Sequence, residues 1–179
     1  ESMCTALAAF QGQLYAALDL NANGGGTARV MVRATTGTWS ASDSGTVSAG
    51  AYDNGYTTLK VWPPEDGSVT SPTSALFAVR RHITGDAGVG ALRKFNGSSW
   101  STVHTWNYDT TGTSRIESTY SINSSNTPVP TLWLGGGANL LPNSTDGTTW
   151  TDRWSTLTSG AQTVGVSAGF TGAILQVSR

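Results

Sequence analysis

Seven tryptophans, five tyrosines and four phenylalanines stand beside only ten basic and eleven acidic side chains, so the groups best placed to do chemistry here are aromatic. Trp62, Trp106, Tyr108, Trp133 and Trp154 are scattered among Asn, Asp, Ser and Thr. Aromatic faces stack on the apolar faces of sugars, while amides and hydroxyls bond sugar hydroxyls; Trp106, Tyr108, Trp62 and Trp154 are therefore the glycan-binding candidates. Trp106 and Tyr108, in the polar run before Arg115, are expected to be exposed, with burial between packed sheets as the competing reading. His82 and His104 have neither a third ligand nor the spacing of a zinc site. Asp19-Leu20-Asn21-Ala22-Asn23-Gly24 alternates oxygen side chains like the start of a calcium loop, but Val30 falls where the twelfth, acidic ligand belongs. No metal, cofactor or catalytic residue is expected.

Charged residues make up 12% of the chain against an ordinary level of about 25%, and the net charge is −1. A basic stripe for nucleic acid is thus missing, and no apolar run approaches the roughly 18 residues of a membrane-spanning helix. The 16 aromatic residues supply ample surface to bury, which argues against disorder. Cys4 is the single cysteine, excluding an intrachain disulfide, and is expected to be a small buried residue of the first strand. Three Asn-Xaa-Ser/Thr triplets, at Asn96, Asn123 and Asn143, are glycosylation acceptors only in a eukaryotic secretory pathway.

The elements that must position these residues are short alternating strands separated by Gly-, Asn- and Pro-containing turns, and they recur. Gln11-Gly12 is a tight turn before Leu14, Ala16 and Leu18; a Gly-rich gap follows, then Arg29–Ala34, the Thr36-Gly37 turn and Trp39. The same order returns with Leu76, Asn96-Gly97 and Trp100, and again with Leu132, Asp146-Gly147 and Trp150. The Leu positions are 62 and 56 residues apart and the Trp positions 61 and 50. These spacings lie at or slightly above those of propeller blades. A fourth copy is partial, with Phe170-Thr171-Gly172 standing against Phe10-Gln11-Gly12. The expected fold is all-β, with four-stranded antiparallel units at about 4–48, 56–108 and 115–156 and two further strands at 163–179. An open β-sandwich would also use short strands, but gives no reason for a threefold repetition.

Each unit resembles a blade of a β-propeller of the kelch, sialidase-like or lectin type, and Ser144-Thr145-Asp146-Gly147-Thr148-Thr149-Trp150 is similar to the Asp-box of sialidase-like propellers, one residue short between Asp146 and Gly147. Asn96-Gly97-Ser98-Ser99-Trp100 and Thr36-Gly37-Thr38-Trp39 are versions without the Asp. The resemblance implies that Asp146 and Gly147 build a structural turn remote from any active site, and that Trp39, Trp100 and Trp150 pack between blades. It also directs attention to arginines for a substrate carboxylate with a Tyr and Glu pair. Glu65 lies in a Pro-rich loop, Glu117 in a strand, and the neighbours Arg80 and Arg81 point to opposite faces, so the hydrolase pattern does not carry over onto these residues and Arg93. Propellers have four to eight blades, so three and a half imply either a segment of a longer propeller or an assembly of copies. The expected function is a non-enzymatic extracellular, cell-surface or virion-associated binding or structural module for glycans or partner proteins. A segment of a sialidase-like glycoside hydrolase is the alternative.

Overall fold

The computed structural model of the chain describes residues 2–20, 28–45, 55–67, 71–81, 88–108, 115–122, 128–135 and 142–152. The predicted partial unit at 163–179, Trp154, His82 and most of the calcium-like loop lie outside them. All twelve described elements are strands: β1 (Ser2–Phe10), β2 (Gln13–Leu20), β3 (Ala28–Arg33), β4 (Trp39–Gly45), β5 (Gly55–Trp62), β6 (Ala75–Arg81), β7 (Gly88–Phe95), β8 (Trp100–Tyr108), β9 (Arg115–Ile122), β10 (Pro128–Gly135), β11 (Pro142–Ser144) and β12 (Thr151–Asp152). The described fold is thus all-β, and every pairing is antiparallel. Consecutive strands pair as a meander within β1–β4, within β5–β8 and within β9–β12. A single bridge, Asp19 to Gly55, joins the first meander to the second, and the third is a separate four-stranded sheet.

The second sheet is buried on both faces. Along β6 the alternation of strand side chains sends Leu76 and Ala78 one way and Ala75, Phe77 and Val79 the other, and all five are buried. Leu76 and Ala78, with Tyr56, Leu59 and Phe95, pack against Phe10, Tyr15, Ala17 and Val30 of the first sheet. Ala75, Phe77 and Val79, with Trp62, Leu92 and Trp106, pack against Leu132 and Leu134 of the third. For each sheet, the face toward the following sheet is here called forward, and the face toward the preceding one rear. First strands lie near one another, β5 touching β1 on one side and β9 on the other.

Two bulges repeat. Thr5 is the extra residue between Cys4 and Ala6, and Thr57 occupies the same place between Tyr56 and Thr58. Ser42 and Val103 are likewise extra in the pairings of β3 with β4 and of β7 with β8. A bulge shifts the alternation by one residue, so the two halves of each strand face differently. That phase shift corrects the expectation for Cys4. The parity of Ala6, Ala8 and Phe10 would place it inward, but beyond the Thr5 bulge it is exposed. Thr5 itself turns in, its hydroxyl donating to the carbonyls of Ala17 and Tyr56.

Glycine fits where two surfaces close up. Gly90 is paired with Trp106, and a Cβ on it would run into the indole ring at Cε2. Gly90→Ala is expected to push Trp106 off its seat and destabilise the fold by about 1–3 kcal/mol, the usual cost of overpacking. The check is a thermal melt, which should fall by several degrees.

Candidate functional site

The polar groups gather in two places: the turn ends of the sheets and one cluster between the first and second sheets. In the turn after β11, Asp146 Oδ1 accepts the backbone N–H groups of Thr148 at 2.7 Å and Thr149 at 2.6 Å. The Ser144 hydroxyl donates to Asp146 Oδ1 at 2.9 Å and accepts Gly147 N–H at 2.8 Å. Burial of the carboxyl pushes its pKa up, but the Thr149 and Thr148 N–H donors, with the Thr149 and Ser144 hydroxyls, outweigh this and lower it to about 2. Gly147 has φ +67°, and a Cβ there would meet Phe77 Cζ at 2.6 Å and Trp62 Cζ3 at 3.2 Å. The turn thus closes on the forward face of the second sheet.

The turn after β7 has the same design with an amide in place of the acid. Asn96 Oδ1 accepts Ser98 N–H and Ser99 N–H, each at 2.9 Å, and the Ser98 hydroxyl at 2.9 Å. Gly97, at φ +102°, lies against Gln11 of the first sheet. The backbone N–H of Gln11 in turn donates to the Glu65 carboxylate, at 3.0 Å to Oε2. Glu65, a residue weighed for hydrolase chemistry, therefore caps a turn. The third turn, at Gly37 with φ +90°, is closed by backbone bonds from Ala34 N–H to Thr38 O at 2.8 Å and from Gly37 N–H to Ala34 O at 2.9 Å.

Trp100 and Trp150 are half-buried on rear faces. Trp100 stacks on Phe95 at 5.1 Å and donates its Nε1–H to Ser42 Oγ of the first sheet at 3.0 Å. Trp150 stacks on His104 of the second sheet at 5.6 Å. Trp39 departs from the expectation and is 42% exposed. It belongs to the first sheet, and among the described residues no sheet precedes it.

The expected exposure of Trp106 is also corrected: only 8% of its surface is open, because it lies over Gly90 in the core shared with the third sheet. Trp62, at 1% exposure, is buried in the same core and packs edge-on against Phe77. Trp133 is half-buried. Tyr108 ends β8, where its backbone pairs with Gly88; its side chain, like those of Arg81 and Glu117, is not among those described. Among the described residues no group of three His, Cys, Asp or Glu side chains is placed to hold a metal ion.

One cluster was not anticipated. Asp43 on β4 faces the second sheet and takes Arg93 side-on, accepting Nε–H at Oδ2 at 2.9 Å and Nη2–H at Oδ1 at 3.1 Å. The Tyr56 hydroxyl donates to the same Oδ2 at 2.7 Å, and Arg93 Nη1 donates to Thr102 Oγ1 at 2.8 Å. Burial, then the charge and hydrogen bond of Asp43, push the Tyr56 phenol far above its ordinary range. The signal available in the sequence is Arg93 beside Lys94 in an otherwise apolar strand; its partner Asp43 lies 50 residues away among Ser, Ala and Gly. No family model, no curated protein and no solved structure matches the chain.

Two outcomes test these assignments. Asp43→Ala strands Arg93 in a largely buried site and is expected to cost about 2–3 kcal/mol, read as a lower urea midpoint; the joint change of Asp43 and Arg93 to Leu should recover part of it. In the turn, Asp146 has a folded pKa below the unfolded 3.8, so its contribution is complete above about pH 4 and fades as pH falls through about 2. Asp146→Ala should cost about 1 kcal/mol, as for a lost capping side chain. Asp146→Asn should keep most of the stability at pH 7 and remove that acid-dependent component, as melts across pH 2–7 would show.

Proposed function

We propose that this chain is a non-enzymatic structural and interaction module of the β-propeller type, extracellular or borne on a cell or virion surface. The observation that carries the reading is the second sheet, covered on both faces by neighbouring sheets with Trp62 and Trp106 inside the contact. Face-to-face stacking of four-stranded meanders with adjacent first strands supports this reading, because propeller blades are four-stranded sheets set around one axis. The recurrence of the bulges and of the Gly turns supports treating the sheets as blades. Near-zero net charge and a Gly-, Ser- and Thr-rich composition suit an exterior scaffold that assembles with other copies or with further units.

The hydrolase alternative draws little from the geometry, since Arg93 is committed to Asp43 and Glu65 to a turn. A lectin role through Trp62 and Trp106 would require aromatic faces that packing already occupies. Glycan or partner binding through Trp62 and Trp106 is therefore not part of this reading.

Trp106→Ala is expected to destabilise the native chain by about 3–5 kcal/mol, and a glycan array probed with the unmodified chain should show no binding that depends on Trp106. Saturable binding of one glycan class, abolished by Trp106→Ala at an unchanged melting temperature, would overturn the structural reading.

A further inference from the structure

The second and third sheets close their turns with one slot and two different occupants. Asn96 Oδ1 accepts the N–H groups two and three residues on, from Ser98 and Ser99, and Asp146 Oδ1 accepts those of Thr148 and Thr149. Each oxygen also takes a serine hydroxyl, from Ser98 in one turn and Ser144 in the other. Three donors converging on one oxygen favour a carboxylate over an amide, since a hydrogen bond to an ionised acceptor is roughly twice as strong. At Asp146 burial raises the pKa, yet the Thr149 and Thr148 N–H groups, with the Thr149 and Ser144 hydroxyls, bring it to about 2. The second turn thus seats an amide where the third seats an acid.

The residue after Asn96 is glycine, and residues 96–99 are exposed. An Asn-Gly pair can exchange its amide for an acid unaided. Gly97 N gives its proton to a solvent base and bonds to Asn96 Cγ; the Cγ–Nδ2 bond breaks, and Nδ2 takes a proton from water and leaves as ammonia. Water then opens the five-membered imide. Opening at Cγ gives aspartate, and opening at the backbone carbonyl gives isoaspartate, which carries one more carbon in the main chain. Ring closure needs the Asn96 side chain and the Gly97 peptide free to turn onto each other, whereas the closed turn holds Oδ1 in three bonds and packs Gly97 against Gln11. We propose that Asn96 is a site of spontaneous conversion to aspartate, shielded while the turn is closed, and that the fold keeps the aspartyl product and rejects the isoaspartyl one. The aspartyl product retains the bonds at Oδ1. The isoaspartyl product lengthens the link between Phe95 and Trp100, which are paired across β7 and β8, and lifts Gly97 from Gln11.

The test ages native and urea-unfolded chains side by side at mildly alkaline pH, with peptide mapping that separates Asn96 from the Asn-Gly pairs at 23–24 and 54–55. Asn96 in the native chain should convert at least about tenfold more slowly than in the unfolded one. When the aged unfolded material is refolded, the fraction that melts cooperatively should be enriched in aspartate over isoaspartate at position 96. Asn96→Asp should melt no lower than the parent at pH 7, and should lose stability relative to it as pH falls through the carboxylate range. Equal conversion rates in the native and unfolded chains, with a cooperative melt retained, would overturn the shielding. Isoaspartate as abundant in the refolded fraction as in the unfolded material, or an Asn96→Asp chain that melts several degrees lower at pH 7, would overturn the selection of product.

Discussion

A sheet that is apolar on both sides has to be covered on both sides, and strand β6 imposes that requirement on everything around it. Ala75-Leu76-Phe77-Ala78-Val79 has no polar parity to turn toward water. Its sheet is stable only as an inner layer, so the first and third sheets exist, energetically, as its two covers. The bulges at Thr57 and Val103 let the flanking strands divide their large side chains between the two contacts, sending Tyr56 to one side and Trp106 to the other.

The two contacts are made of different materials. Between the first and second sheets, the Asp43, Arg93 and Tyr56 cluster sits beside an aromatic group of Phe10, Tyr15 and Phe95. Between the second and third, Trp106, His104 and Trp150 form a ladder of near-parallel rings, and Lys94 reaches Thr148 at 3.2 Å. In both, a glycine turn of one sheet presses on a side chain of the sheet before it, Gly97 on Gln11 and Gly147 on Phe77. That close approach explains why both turns need a side-chain oxygen to hold their backbone N–H groups: the loop is fixed in shape before it is packed.

The strand order was legible because period-2 alternation and Gly turns are local signals, and the registers follow from turns such as Gln11-Gly12. Cys4 was misread because a bulge cannot be seen in a run such as Ser-Met-Cys-Thr-Ala-Leu, where either phase is apolar enough. Trp106 was misread because the polar residues around it suggested solvent, whereas the absent side chain of Gly90 on the adjoining strand makes its seat. Asp43 escapes a sequence reading because Trp-Ser-Ala-Ser-Asp-Ser-Gly has little apolar alternation to show which face Asp43 takes, and its facing is fixed by pairing with β3 and the bulge at Ser42.

Among the described residues Trp100 and Trp150 each lie on the face that meets the preceding sheet, so both contacts are made by a rear face on one side and a forward face on the other. Such a contact has a direction. Unlike a two-fold interface, it is not satisfied by meeting its own copy, and a series of identical steps has two fates only: the rotations add to a full circle, or the array continues to grow. The angle between neighbouring sheets, set by side chains as small as Ala78 and as large as Trp62, therefore decides where a further sheet of the same design would lie.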